Sequence, residues 1–326
     1  MGQGDRGAPG LPGPPFEVRL ALPDLAPFLP GNTGVPGFTT LAGAGAGPHA
    51  MILAATHGNE ISGAIVLERL LRARFVPRRG RLTLGFVNLA ALARFDPREP
   101  TLSRFIDEDI NRVWHPEVLA GPRRSAELER ARTILPLIET ADYLLDLHSM
   151  LWPADALMLC GPSARGRRLA GAIGQPELVV ADRGHASGAR IIDHPRFTDP
   201  AGKATAVLLE AGQHWDPASV EVALCVVAAL LRHLGMAGED VALPPPAPRA
   251  AQRFAEVTDV VVAGTGGFSF VEPFRGGTVV KRRGTLIAID EAVEIRTPHD
   301  DCLLVMPSLR PSRGHTAVRL ARFVPG

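Results

Sequence analysis

Two short segments carry the residue types of a catalytic metal site. THGNE at 56–60 follows an apolar run, precedes a stretch of helical periodicity and contains His57 and Glu60. LLDLHS at 144–149 is an apolar run that reaches His148. Imidazole nitrogens and carboxylate oxygens bind zinc in hydrolytic sites, where three protein ligands leave a fourth position for water. Together the three residues predict one catalytic zinc ion per chain, although the same set also accepts cobalt or nickel. Singly, each segment is more simply a turn or a strand end.

Two acidic residues at strand ends fit the same chemistry. Asp146 precedes His148 by two residues, so both side chains point to one side of a strand, and Asp146 is predicted to orient the imidazole. Glu210 ends the apolar run VLLE at 207–210. A glutamate beside a metal ion is the general base that hydrolysis requires, since it takes the proton of water and returns it to the leaving group.

A charged segment, RFIDEDINR at 104–112, lies between the two metal-binding segments. Arg104 is predicted to stabilise an oxyanion. Asn111 and Arg112 offer hydrogen-bond donors suited to a substrate carboxylate. On this segment alone, a surface loop with internal ion pairs is the simpler interpretation.

The elements that must position these residues alternate between strand-like and helix-like patterns. Strands are predicted at His49–Ala55, Arg81–Asn88, Tyr143–Leu147, Ala156–Cys160, Leu178–Ala181 and Ala206–Leu209. Helices are predicted at Ile61–Ala73, Ser125–Glu139 and Asp216–Leu234, the last with Asp216 and Pro217 as cap and first turn. Such alternation predicts an α/β fold with a mixed, mostly parallel sheet flanked by helices. The metal-binding segments would then lie at the carboxyl edge of the sheet, where α/β folds bind ligands.

The pattern changes after Leu234. A proline-rich linker is predicted at 241–250, and a small all-β domain at 251–326. Strands of that domain are expected at Val257–Ala263, Thr278–Lys281, Thr285–Ile289, Cys302–Met306 and Ala317–Phe323. The catalytic domain is predicted at 16–240, preceded by a disordered leader at 1–15 that is rich in glycine and proline.

Composition excludes several classes of function. The formal charge is +1, which gives no electrostatic basis for binding nucleic acid or an anionic membrane. No apolar run approaches the roughly 20 residues of a membrane span. Three widely spaced cysteines fit reduced thiols and a cytoplasmic location. A small molecule is the expected partner, and homo-oligomers are left open.

In this order and with these strand contexts, the motifs resemble the succinylglutamate desuccinylase/aspartoacylase family of the zinc carboxypeptidase superfamily, from about Pro48 to Phe323. HGNE and LHS are similar to its zinc-binding segments. Arg104 and the D-x-N-R pattern of Asp109, Asn111 and Arg112 resemble its oxyanion arginine and carboxylate clamp. Glu210 in LLEAGQHW resembles its general base.

The resemblance also implies features that this sequence matches less well. The aspartoacylase branch uses a tyrosine from the C-terminal domain near its substrate, but the one tyrosine here is Tyr143. A second substrate arginine is also implied, with Arg190 and Arg196 as candidates. Three histidines could line the pocket, although a structural role is the simpler expectation for each: His185, His194 and His214.

The resulting hypothesis is a zinc-dependent deacylase that cleaves the amide bond of a small N-acyl amino acid or related carboxylate. One alternative is a metallocarboxypeptidase acting on short peptides, because the metal chemistry is shared. Another is a catalytically silent relative that binds a metal or ligand.

Overall fold

The chain folds around one large sheet and one small sheet. The computed structural model describes residues 16–185, 187–238, 243–246 and 251–326. Within those residues the large sheet has eleven strands and the small one has three. The predicted leader at 1–15 lies outside the described residues, as does most of the predicted linker at 241–250.

The strands of the large sheet are β1 (Phe38–Ala42), β2 (Gly45–Ala54), β3 (Arg79–Phe86), β4 (Tyr143–Met150), β5 (Leu157–Leu159), β6 (Leu178–Ala181), β7 (Thr205–Gln213), β8 (Arg253–Val262), β10 (Val279–Val280), β13 (Cys302–Val305) and β14 (Thr316–Val324). They lie side by side in the order β1-β3-β2-β4-β7-β5-β6-β8-β14-β13-β10. Strands β3, β2, β4 and β7 are parallel neighbours, as are β5, β6 and β8. Strand β5 runs antiparallel to β7, and β1 antiparallel to β3. The predicted mixed, mostly parallel sheet is confirmed for the first two-thirds of the chain.

Helices cover both faces of this sheet. They are α1 (Ile61–Arg72), α2 (Leu89–Leu92), α3 (Pro116–Ala120), α4 (Ala126–Ile138), α5 (Ala164–Ile173), α6 (Pro195–Thr198) and α7 (Pro217–His233). Helices α1, α5 and α7 pack on one face, and α3, α4 and α6 contribute to the core on the other. Because both faces are buried, the central strands are almost continuously apolar. Asp216 caps α7 as predicted, since its side chain accepts a hydrogen bond from Ala218 N.

The β-rich C-terminal region extends the large sheet. Strand β8 pairs in parallel with β6, and β14, β13 and β10 follow in antiparallel order. The small antiparallel sheet consists of β9 (Phe268–Phe270), β11 (Leu286–Asp290) and β12 (Val293–Arg296). Strand β8 begins at Arg253, four residues before the predicted start, because Arg253–Glu256 pairs with β6. The division into separate catalytic and C-terminal domains stays a prediction.

Two further features concern the cysteines and the helices. The three cysteines are unpaired, with Cys160 and Cys302 buried and Cys225 half-buried. In the described part of the chain, no helix has both the length and the apolar character required to cross a membrane.

Candidate active site and metal centre

The ends of three neighbouring parallel strands place the candidate residues together. Strand β2 ends at Ala54 and leads through a short turn to His57, while β4 carries His148 and β7 carries Glu210. His148 and Glu210 are paired in register on adjacent strands. Both point to the face of the sheet that α3 and α4 help to cover, because they alternate with the residues of the opposite core.

Gly58 allows the loops beside His57 to approach closely. A Cβ atom at this position would lie 2.3 Å from the backbone carbon of Ala91 and 2.4 Å from Ser103 O. Its amide donates to Arg104 O at 3.1 Å. A side chain at residue 58 would therefore push away the segment that brings Arg104 to the site.

His57, Glu60 and His148 converge on one point. His57 Nδ1 lies 2.6 Å from Glu60 Oε1, and His148 Nδ1 lies 3.0 Å from Glu60 Oε2. One ligand atom from each of the three residues lies within 4.8 Å of the others, and all three residues are buried. Two imidazole nitrogens and a carboxylate are the donor set of a hydrolytic zinc site, so these residues fit a divalent metal ion.

The other nitrogen of each imidazole faces a carboxylate. His57 Nε2 lies 2.9 Å from Asp109 Oδ1, and His148 Nε2 lies 2.8 Å from Asp146 Oδ2. Thr56 Oγ1 donates to the second oxygen of Asp146 at 2.8 Å. Such carboxylate–histidine pairs fix the ring orientation and direct each Nδ1 towards the common point.

The charges around this point favour a cation. Glu60, Asp109 and Asp146 supply three carboxylates in contact with the two imidazoles, and Arg104 supplies one guanidinium. With neutral imidazoles, two negative charges remain for a divalent ion to balance. Burial alone would raise the pKa of Glu60, but His57 and His148 hold that pKa well below its ordinary value. Glu60 is therefore ionised and able to bind a metal.

Glu210 lies beside this group with one oxygen unpartnered. Its Oε2 is buried and has no hydrogen-bond partner among the described residues. Burial raises the pKa of Glu210 to about 8. A carboxylate whose pKa is raised by burial and lies near neutrality has the property required of a general base. A nearby metal ion would lower this pKa.

Arg104 borders the metal ligands on the solvent side. Its guanidinium lies 3.3 Å from Glu60 Oε1, 3.1 Å from Asp109 Oδ2 and 3.0 Å from His57 Nε2. The side chain is partly exposed. It therefore places a positive charge at the edge of the cleft, in contact with two of the candidate metal ligands.

Asn111 and Arg112 lie in a 3₁₀ helix (Ile110–Arg112) that Asp109 caps. The side-chain oxygen of Asn111 accepts from Ile191 N at 2.8 Å, and its amide nitrogen lies 3.4 Å from His148 Nε2. Arg112 donates to Asn111 O at 2.7 Å and faces the cleft. Of the two predicted carboxylate-binding residues, Arg112 therefore has more unused hydrogen-bond donors. Asn111 instead links its own loop to the loop that contains Ile191.

The catalytic core also matches a known family by sequence. Residues 46–234, more than half of the chain, match the succinylglutamate desuccinylase/aspartoacylase catalytic domain. The chain belongs to the succinylglutamate desuccinylase/aspartoacylase family. The family consists of hydrolases, and the three converging residues lie within the matched segment. No curated protein matches the chain in sequence.

Solved structures show that the desuccinylase fold extends over most of the chain. The structure resembles succinylglutamate desuccinylase from Vibrio cholerae, with a TM-score of 0.67 and 16% identity over 88% of this chain and 86% of that one. A succinylglutamate desuccinylase/aspartoacylase from Rhodobacter sphaeroides gives a TM-score of 0.64 and 20% identity, over 89% of each chain. The ectoine utilization protein EutE from Ruegeria pomeroyi gives 0.60 and 18%, over 87% of this chain and 88% of that one. At sequence identities of 16–20%, these similarities establish the fold and nothing further.

A cleft of about 590 Å³ opens in front of this desuccinylase/aspartoacylase core. It is lined by the candidate metal ligands His57, Glu60 and His148, by Glu210, Arg104 and Arg112, and by His185 and His214 among the predicted histidines. His214 Nδ1 lies 2.8 Å from Ser149 Oγ. His194 instead caps α6 and is not among the residues that line the cleft.

The candidates for a second family arginine have other partners. Arg190 borders the cleft, but it donates four side-chain hydrogen bonds to Asp182 and Asp193. Arg196 donates to Ala141 O at the start of β4, the opposite end of that strand from His148. Tyr143 also lies at that starting end.

Several residues that line the cleft were missed by the sequence prediction. They come from β14 and the segment between β13 and β14, and they are Met306, Pro307, Ser308, His315, Thr316 and Arg319. None belongs to a motif, and their only signal was the β-rich character of the region. The C-terminal strands therefore form one wall of the cleft in this family member.

Proposed function

We propose that this chain is a zinc-dependent deacylase that hydrolyses the amide bond of a small N-acyl amino acid or related carboxylate. The observation that carries the proposal is the buried convergence of His57, Glu60 and His148 next to a glutamate, Glu210, whose Oε2 has no partner among the described residues. Family membership supports hydrolysis, and the solved relatives named desuccinylases support an N-acyl substrate.

His57, Glu60 and His148 would hold the metal ion. When bound, zinc polarises an amide carbonyl and acidifies water. Glu210 takes the proton of the attacking water on its free oxygen and later delivers it to the nitrogen of the leaving amine. Arg104 donates hydrogen bonds to the oxygen that becomes negative during attack. Arg112 pairs with a carboxylate of the substrate and orients the scissile bond.

A substrate screen tests the reaction. Zinc-loaded protein is incubated with N-acetyl, N-succinyl and N-formyl amino acids, and with unblocked dipeptides, while the free amine produced is measured. We expect release of amine from at least one N-acyl class. Hydrolysis confined to dipeptides would replace the proposal with the carboxypeptidase alternative, and no hydrolysis by protein shown to contain metal would replace it with a binding role.

The role of Glu210 gives the first specific prediction. Glu210→Ala removes the proton carrier but none of the metal ligands, so kcat should fall by about 10²- to 10⁴-fold while zinc stoichiometry is unchanged. Glu117→Ala is the control, since Glu117 is 90% exposed on its side chain. Turnover retained in the Glu210 variant would contradict its role as base.

The remaining expectations belong to the same proposal. We propose one zinc ion per chain, a cytoplasmic location and a small-molecule substrate in place of nucleic acid or membrane. Zinc itself is tested by elemental analysis of protein purified without added metal.

A further inference from the structure

His214 is a buried histidine that lines the cleft and has no role in the proposed chemistry. It follows β7 directly and is 2% exposed, yet it belongs to the lining of the cleft. The register between β4 and β7 shifts by one residue just before it, and Gly212 in that stretch has a φ of +109°. Such bulges re-aim the side chains that follow them. The turned backbone is fixed by His214 N, which donates to Met150 O at 2.8 Å.

One ring nitrogen of His214 is held by the protein. Its Nδ1 lies 2.8 Å from Ser149 Oγ, and both residues are buried. Among the described residues, this nitrogen is the one hydrogen-bond partner of the Ser149 hydroxyl. Because a buried hydroxyl needs an acceptor, Ser149 Oγ–H donates to Nδ1, and the ring then carries its proton on Nε2. Burial lowers the pKa of His214 to about 4, so the ring is neutral at neutral pH.

The second ring nitrogen is an unpartnered donor. Nε2 of His214 has no hydrogen-bond partner among the described residues, although the ring is almost fully buried. A buried N–H group without an acceptor is costly, so an oxygen atom that reaches it from the cleft is favoured. A neutral N–H group does not require an anion, in contrast to the guanidinium groups of Arg104 and Arg112 elsewhere in the cleft.

The two oxygens of Glu60 separate His214 from these arginines. Arg104 lies 3.3 Å from Oε1, and it shares a carboxylate partner with Arg112. Ser149 N donates to Oε2 at 3.1 Å, and the side chain of Ser149 contacts His214. A substrate whose carboxylate pairs with Arg112 and whose amide lies at the metal centre therefore extends its acyl group towards His214.

The surroundings of His214 on this side of the cleft are uncharged. The loop that follows β4 lines the cleft with Leu151, Trp152, Pro153 and Ala154. Gln213 Nε2 donates to Leu151 O at 3.4 Å, which ties this loop to the residue before His214. An apolar loop beside a neutral donor suits an uncharged acyl group that carries an oxygen atom.

We propose that His214 is a substrate-binding residue whose Nε2–H donates a hydrogen bond to an uncharged oxygen atom of the acyl group, other than the oxygen of the scissile carbonyl. The loop at 151–154 would contact the carbon atoms of the same group. The inference rests on the proposed function for the identity of the substrate, but the hydrogen bond itself can be measured by binding.

Matched ligands isolate the acceptor oxygen. N-methoxyacetyl and N-butyryl amino acids have almost the same shape and differ by an ether oxygen in place of a methylene group. N-glycolyl and N-propionyl amino acids differ by a hydroxyl in place of a methyl group. Both pairs are prepared on glycine and on the amino acid favoured in the substrate screen. Binding is measured by calorimetry on zinc-loaded Glu210→Ala protein, so that turnover does not obscure the heats.

We expect the oxygen-containing member of at least one pair to bind about 5- to 15-fold more tightly than its hydrocarbon counterpart. Two further substitutions separate the two nitrogens of the ring. A glutamine amide reaches the position of Nε2, so His214→Gln should retain part of the preference. An asparagine amide reaches only the position of Nδ1, so His214→Asn should abolish the preference by weakening the oxygen-containing ligand alone. His115→Gln is the control, since the side chain of His115 is 56% exposed.

A role confined to supporting Ser149 predicts the reverse order, with asparagine as the better replacement, and that result would overturn the proposal. Equal affinity within both pairs, including no measurable binding of any ligand, would overturn it as well. Thermal unfolding and zinc content check the folding of each variant. If His214→Asn does not fold, His214→Phe decides, because phenylalanine keeps the ring shape and removes both nitrogens.

Hydrolysis by the unmodified chain is scored separately. Amine release without a preference for the acceptor oxygen leaves the deacylase proposal standing and removes the inference. A preference for the oxygen without amine release does the reverse.

Discussion

The two sides of the cleft differ in how completely their polar atoms are satisfied. On the metal side, the imidazoles of His57 and His148 each face a carboxylate on both ring nitrogens. On the substrate side, Glu210 Oε2 and Arg319 Nε are buried without a hydrogen-bond partner among the described residues. The candidate metal ligands are therefore held in place by the protein, whereas the substrate side keeps buried polar atoms that a ligand could satisfy.

This difference separates two kinds of experimental effect. A change on the metal side removes a member of a connected buried network, so metal retention should suffer. A change on the substrate side removes a group that would contact only the ligand. Such a change should lower kcat or alter substrate specificity without reducing the metal content. If a substitution on the substrate side also reduced the metal content, the two sides would have to be treated as one coupled site.

The largest effect is expected from removing a metal ligand. His148→Ala should reduce zinc stoichiometry from one per chain to near zero and abolish detectable hydrolysis. Stabilisation of the folded state by zinc should disappear as well, which amounts to about 4 kcal/mol for metal at 1,000 times its Kd. Elemental analysis and thermal unfolding with and without zinc measure both. His233→Ala, at an exposed position at the end of α7, is the matched control. Full zinc occupancy in the His148→Ala variant would show that the metal ion binds elsewhere in the protein.

Arg104 is the sharpest test of the separation, because it contacts the metal ligands and also faces the cleft. If it acts on the oxyanion, Arg104→Gln should lower kcat by about 10²- to 10³-fold at unchanged zinc content. Arg98→Gln is the control, since its side chain is 87% exposed. Loss of zinc from the Arg104→Gln variant would show instead that Arg104 supports metal binding.

The candidate metal ligands could be predicted from the sequence because they lie in short, local motifs. His57 and Glu60 share one strand-to-helix turn, and Asp146 and His148 share one strand, so spacing and strand periodicity predict their directions. The parallel sheet then brings the strand ends together. The confirmed fold class rests on the same alternation of strands and helices.

The substrate side could be predicted only in part. Glu210 and Arg112 were named from the sequence and line the cleft, but strand register and tertiary contacts decide the rest. Arg319 and Arg322 are both arginines in one strand, and only the pairing of β14 with its neighbours buries the first and exposes the second. Asn111 has the residue type for binding a carboxylate, yet its side-chain oxygen holds Ile191 N. Arg190 also has the right type, but ion pairs occupy it. Residue type alone does not show which donors already have partners.

A smaller effect is expected at Asp146, which contacts a candidate metal ligand but is not one itself. Asp146→Asn removes the charge that faces His148 Nε2 but keeps the shape of the side chain, so zinc affinity should fall by about 10- to 100-fold. Competition with a chelator of known affinity measures the change. Asp155→Asn, at a position whose side chain is 73% exposed, is the control. An unchanged affinity would show that the orientation of His148 does not depend on this carboxylate.

The last effect depends on pH and concerns Glu210 on the substrate side. In the metal-free protein burial raises its pKa to about 8, above the ordinary value of 4.5. Between these values the folded state holds a proton that the unfolded state has lost, so this group makes the free energy of unfolding decrease as pH rises. Glu210→Gln stays neutral, and its stability relative to the unmodified chain should therefore increase from pH 5 to pH 8, by at most about 1.4 kcal/mol per pH unit. Urea unfolding of both metal-free proteins measures this difference, in which the contributions of other titrating groups cancel to first order. Zinc should reduce the slope, since a neighbouring cation favours the ionised carboxylate. A constant difference across that range would mean that Glu210 is ionised even without metal, and that it belongs with the satisfied groups of the metal side.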